Sequence, residues 1–415
     1  MRGWITGLVA TASLLAAGAV RAQPVEIDYW QYTFKERVEA IDELIRRFKI
    51  ENPDITVRHT NVPYDNYRTR IAATIPAGEG PDVAQLYYGW LDAYIKAGLL
   101  QPLPPGAFDT AAIDREFFPV VASMKRDGTY YALPTAVRSL SLFWNKKIFA
   151  DAGLDPEKPP RTLDEMLDVA RRTTKRDAGG NMLIEGVAAD MAGQDQHWVR
   201  EGLIRQFGGT AYTPDNRRIA YTSPEAVAAV TWYTDLITKE RVSELGFMTD
   251  QVTAFKAGRA ALTVDGSFRL GSFDAQRGLS YGVVELPSHN GRSSNFASFW
   301  VNGITAKAKG AKRDAAVKFL QFITTADAMK LWQEKVGELP ARVALAHTDA
   351  VRNHPKYGPF VRGLDNAVAT EFVDESAQRK VMMDLVDRVV LKKMPVAESL
   401  AVAAAEEQKV LDSVR

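Results

Sequence analysis

Twice within its first ninety residues the chain passes from a short apolar strand pattern through a helix into another strand pattern, and that alternation restricts the folds open to it. Val25–Tyr29 alternates as a half-buried strand does. Thr33-Phe34-Lys35-Glu36 has the spacing of a capping box, in which hydroxyl and carboxylate each take a free amide of the first turn. Val38, Ile41, Leu44, Ile45 and Phe48 then recur on one helical face until Asn52-Pro53 stops the helix. Ile55–Val57 reads as a second strand and Tyr67–Ile75 as a second helix. Val83–Leu86, after Gly78, Gly80 and Pro81, reads as a third strand. Such a series predicts a parallel sheet with helical crossovers. The pattern continues with a second capping box at Thr162–Glu165 and with Ser223-Pro224, an N-cap followed by proline at the first helical position. Residues 311–333 and the chain beyond about 376 read as helical.

Ahead of these elements lies a different kind of segment. Met1-Arg2 gives a positive start, Ile5–Val20 is apolar and small, and Val20-Arg21-Ala22 precedes Gln23. This is the layout of a secretory signal peptide removed after residue 22. Its sixteen apolar residues fall short of the roughly 20 that span a bilayer. The expected exported chain has 393 residues, with 50 cationic and 51 acidic side chains. That balance argues against nucleic acid or an anionic membrane as the main partner. The chain has no cysteine, which removes disulfides, thiolate nucleophiles, cysteine-ligated metals and a lipoprotein anchor. A Gram-negative periplasm is the expected location.

Four stretches then occur in fixed order. They are Ala77-Gly78-Glu79-Gly80-Pro81-Asp82-Val83; Ala97-Gly98-Leu99-Leu100-Gln101-Pro102-Leu103; Gly128–Pro134 running to Phe143-Trp144-Asn145-Lys146-Lys147-Ile148-Phe149; and Phe255–Leu262 before Val264-Asp265-Gly266-Ser267-Phe268. Together they resemble the bacterial extracellular solute-binding proteins of ABC importers, in particular the carbohydrate-binding group that includes maltose-binding protein. Trp144 stands where that family usually has tyrosine, and Phe268 where it often has tryptophan.

The resemblance implies an α/β chain with the two-lobed periplasmic binding protein fold, type II, with mixed sheets, helices on both faces and a hinge between the lobes. The implied lobes are 23–136 with 288–330, and 137–287 with 331–415. It implies a small carbohydrate ligand in the interlobe cleft, delivery to permease subunits in the inner membrane, a monomer, no cofactor and no catalysis. A cleft beyond the carboxyl ends of the strands is also where doubly wound sheets bind ligands in general.

A sugar needs aromatic faces for its C–H surfaces and planar polar groups for its hydroxyls. Trp30-Gln31-Tyr32-Thr33 follows the first strand, with Gln31 or Tyr32 facing the cleft, Trp30 in the core and Thr33 as a cap. Tyr87-Tyr88-Gly89-Trp90 follows the third strand, with Tyr87 and Trp90 as candidates; a tyrosine pair can also hold ferric iron, but only with further ligands. Arg138 lies beside apolar Leu140 and Leu142 and needs a partner, either a ligand or an acid across the hinge. Asp195-Gln196-His197-Trp198 opens a helix, with Asp195 and Gln196 as polar contacts and Trp198 either stacking on ligand or filling the core. Asp265, Phe268 and Trp300 end or begin strands. Arg342, in Gly337–Arg342, either grips an anion bidentately or is a surface arginine. Arg138 and Arg342 together raise an anionic sugar derivative as the ligand.

Two rival classes share some of these features. An exported glycoside hydrolase would use paired carboxylates, but no nucleophile elbow, Walker loop or H-E-x-x-H stretch is present. A ligand sensor feeding a receptor would share the fold.

Overall fold

A computed structural model describes residues 24–413 except 215 and 371; the expected signal segment 1–22 lies outside the described residues. The first strand, β1 (Val25–Tyr32), pairs in parallel with β2 (Ile55–Val62) along its whole length, through the crossover helix α1 (Lys35–Glu51). After a second helix, α2 (Tyr64–Thr74), β3 (Val83–Tyr87) joins the other side of β1, again in parallel. This is the sheet that the opening pattern predicts. One detail differs: β1 runs on to Tyr32, and α1 starts at Lys35 behind Phe34, which makes no side-chain cap. Thr33 therefore forms no capping box and bonds Asn61 instead, 3.0 Å away. The box at Thr162–Glu165 does form, and Ser223 caps the helix Pro224–Thr238 by accepting from Ala226 N–H.

The central strand β4 (Ala132–Asn145) is buried along nearly all of its fourteen residues. Its two ends belong to different neighbourhoods. Residues 132–139 pair with β8 (Asn295–Ile304), which in turn pairs with β3. Residues 140–145 pair with β6 (Ala260–Gly266) and β7 (Tyr281–Val284), and β6 carries β5 (Met182–Ala188) in parallel beyond it. The sheet order is thus β2-β1-β3-β8-β4-β6-β5. One half is built on β1–β3 and the other on β5–β7, and β4 and β8 lie between them.

Helices cover both faces. Ala326–Val336 packs on α1, and Glu375–Val390 and Val396–Asp412 pack on each other and on Pro224–Thr238. The expected lobe boundary at 330/331 therefore falls inside a continuous helix. A wholly buried ion pair ties the C-terminal helices to the second half. Arg200 donates to Glu407, which also accepts from Tyr212, Tyr221 and Gln378.

Candidate functional site

Where β4 and β8 pass between the halves, residues from both sides line a cleft of about 300 Å³. Its first wall is aromatic. Tyr32 ends β1, Tyr87 ends β3, and Trp300 sits at an irregularity in β8, where the pairing with β4 shifts register between Phe299 and Val301. Such a bulge re-aims a side chain. The Trp300 ring lies 4.3 Å from that of Tyr32 and 5.7 Å from that of Tyr87, and the Trp90 ring meets it edge-on at 5.3 Å. Tyr64, from the start of α2, adds a further edge contact to Tyr32. Behind this wall Arg37 is buried against Tyr32 and Trp300 and paired with Glu338.

The opposite wall is polar and cationic. Arg138 projects from the middle of β4, donates through Nε to Ser298 at 2.8 Å, and lies 3.7 Å from Glu338. Its guanidinium is 4.6 Å from the centre of the Phe268 ring, and that of Arg269 is 4.9 Å from the same ring. Arg269 is steered by Asp265, four residues earlier, at 2.8 Å. Arg379 is held by Glu375 in the same i, i+4 relation. His197 stacks on Phe296 at 4.0 Å. Burial, then the charges of Arg200, Arg379 and Arg138, push its pKa well down, so it is neutral. The loop Ala192–Gln194 completes the lining.

Of the residues expected in the site, Tyr32, Tyr87, Arg138, Phe268 and Trp300 come together in this cleft. Trp90 faces an adjoining hollow of about 750 Å³ that shares Tyr64, Glu375 and Arg379 with it. The other six lie elsewhere. Gln31 points away from Tyr32, because successive side chains of a strand face opposite sides, and it is wholly buried. Asp195 is buried within its own loop, accepting from Asp190 N–H and Tyr233 O–H; burial pushes its pKa well up. Gln196 is buried and lines no part of the cleft. Trp198 is core, edge-on to Trp232 and Tyr233. Asp265 is buried and acts on Arg269 rather than facing the cleft. Arg342 lines no part of the cleft and is instead paired with Glu116 and lies over Phe117.

Tyr64, Arg269, Ser298, Glu375 and Arg379 were not singled out from sequence. The local signals for them are the i, i+4 pairs Asp265 with Arg269, beside Phe268, and Glu375 with Arg379. Phe372 lines a third hollow, about 440 Å³, together with Asp92, Arg126 and Thr370 among others. Its ring lies 6.2 Å from that of Tyr87 and 5.8 Å from that of His197.

The model of the family described as bacterial extracellular solute-binding protein matches residues 31–330. The chain belongs to that family. This solute-binding protein is 26% identical over 357 residues to the sn-glycerol-3-phosphate-binding periplasmic protein UgpB of Escherichia coli, covering 80% of this chain and 78% of that protein. It is 23% identical over 348 residues to the maltotriose-binding protein of Pyrococcus abyssi, with 81% and 71% covered. Among solved structures, UgpB from Mycobacterium tuberculosis in complex with glycerophosphocholine superposes with a TM-score of 0.81 at 20% identity, covering 94% of this chain and 98% of that one. A solute-binding protein from Thermotoga lettingae bound to α-D-tagatose superposes at 0.80 and 23% identity, covering 93% and 100%. The solute-binding protein thus has the two-lobed, type II periplasmic binding fold that the motif order implies.

Proposed function

We propose that this protein captures a sugar or sugar derivative between its lobes and presents it to the permease of an ABC importer. One observation carries the reading: a single cleft is walled by aromatic rings from the ends of β1 and β3 and the irregularity in β8 on one side, and by Arg138, Arg269 and the 192–194 loop on the other. Rings supply the apolar faces a sugar stacks on, and planar cationic forks supply oriented donors. A ligand touching both walls favours the closed arrangement by its extra affinity for that arrangement. The relatives include proteins named for binding maltotriose and sn-glycerol 3-phosphate, which supports a carbohydrate or polyol ligand. Export through residues 1–22, a periplasmic monomer, docking on the permease through the rims of both lobes, and the absence of catalysis belong to the same reading. So does a division into lobes at 23–136 with 288–330 and 137–287 with 331–415. Packing of Ala326–Val336 on α1 favours carrying the second boundary on to the 339–340 pairing with β4.

The test is thermal denaturation of residues 23–415 against neutral sugars, sugar acids, sulfonated sugars and glycerol phosphates, with each hit recovered and weighed. A ligand bound only by the native state raises Tm with its concentration. A stabilising ligand recovered with unchanged mass supports the reading. A ligand recovered as a product places the protein among enzymes, and a panel without hits removes the carbohydrate assignment.

A further inference from the structure

The cleft lining is one-sided in its charge. The hydroxyls of Tyr32, Thr33, Tyr64, Tyr87 and Ser298 can both donate and accept, as a neutral sugar requires, but the ionised groups are mostly cationic. Here the lining holds three guanidiniums, on Arg138, Arg269 and Arg379, against one carboxylate, Glu375, which already accepts from Arg379. The Trp300 Nε1–H is buried with no partner among the described residues.

The carboxylates behind the lining do not restore the balance. Asp265 is engaged by Arg269 and by Gly266 N–H. Glu338 is bonded to Arg37 and to Trp332 Nε1, and stands 3.7 Å from Arg138, beyond hydrogen-bond reach. Glu338 thus serves two guanidiniums, those of Arg37 and Arg138, whose side chains are only 1% and 12% exposed, so the three groups together carry one net positive charge. A charge so placed calls for a counter-charge. A second guanidinium, that of Arg269, lies against the same Phe268 ring. Arg342, the arginine that sequence pairs with Arg138, does not enter the account, because Glu116 occupies it.

We infer that the ligand carries an oxyanion (phosphate, sulfonate or carboxylate) held by Arg138 and Arg269 beside Phe268, with its uncharged part against Tyr32, Tyr87 and Trp300. The inference rests on the importer reading and narrows its substrate class. Guanidinium forks match the spacing of oxyanion oxygens and bind them more strongly than neutral acceptors.

The experiment is titration calorimetry of residues 23–415 with matched probes: glycerol and sn-glycerol 3-phosphate; glucose, glucose 6-phosphate, glucuronate and 6-sulfoglucose. At least one anion should bind 100-fold or more tighter than its neutral partner. That affinity should fall as salt is raised, and Arg138→Gln should lower it roughly 10- to 100-fold. Arg342→Gln should leave it unchanged. The three anion types distinguish phosphate, carboxylate and sulfonate. If Arg138→Gln does not fold, the preference and salt dependence of the unaltered protein decide. Neutral sugars binding as tightly as their anionic partners, without salt dependence, overturn the inference and leave the importer reading standing. A panel in which nothing binds, charged or neutral, overturns both.

Discussion

Glu185 is in the middle of β5, with 2% of its surface exposed, and its carboxylate accepts from Glu244 N–H at 3.1 Å. Burial, aided by the carboxylates of Glu244, Asp190 and Asp195, raises its pKa from the ordinary 4.5 to about 8. Between those two values the folded state holds a proton that the unfolded chain releases, so stability falls as pH rises through this window and levels off above it. A tenfold change in proton affinity is worth about 1.4 kcal/mol, and from pH 5 to pH 7.5 the loss from this one group comes to about 3 kcal/mol. His197 works in the opposite sense. It is kept neutral in the fold while ordinary histidine titrates near 6.5, so its contribution grows as pH rises towards that value and is complete above it. The unaltered protein's pH profile therefore mixes both effects, and the difference between it and Glu185→Gln isolates the glutamate. The amide keeps the oxygen that accepts from Glu244 N–H and cannot ionise. Urea unfolding followed by tryptophan fluorescence should show the variant more stable by about 3 kcal/mol at pH 7.5 and within about 1 kcal/mol at pH 5. A difference that does not change with pH, or a variant less stable at pH 7.5, would refute the argument that burial keeps this carboxyl protonated.

Three other outcomes follow from the packing. Glu407→Ala leaves Arg200 buried without its counter-charge and strips three further donors of their acceptor; chemical denaturation should register a loss of about 3–5 kcal/mol. Trp198→Ala should cost a similar 3–5 kcal/mol, yet Trp198→Phe should keep ligand affinity within about threefold by calorimetry, since the ring is core and not cleft. Gly89→Ala sets a methyl 2.8 Å from the Phe372 ring. By chemical denaturation it should lower stability by about 1–3 kcal/mol, because the Phe372 ring is only 4% exposed and has little room to give.

Much of the frame was legible because helix starts are written locally. Thr162 and Ser223 cap as their spacing predicts. Thr33 does not, because β1 keeps all eight of its residues paired with β2 and leaves no free turn for a box. The aromatic wall was legible for a related reason: Tyr32, Tyr87 and Trp300 occupy strand ends or breaks, where an aromatic has more room than a core demands. The cationic wall was largely hidden. Arg379 with Glu375 and Arg269 with Asp265 have the i, i+4 spacing of ordinary exposed helix pairs, and only tertiary packing turns them inward. The same blindness runs the other way for Trp198 and Arg342, whose residue types suit a ligand while their neighbours, Trp232 and Glu116, already occupy them.

The route of the chain through the sheet also sets an order of events during synthesis. β3 finds its outer partner in β8, about 210 residues later. A nascent chain that has reached residue 290 holds three paired strands whose β3 edge is still open, and β4 lacks the neighbour that joins it to them. Pairings of such long reach form slowly. The β3 edge of the N-terminal half is therefore filled only after β8 has been made, and the β3–β8 pairing is the step that joins the two halves of the sheet.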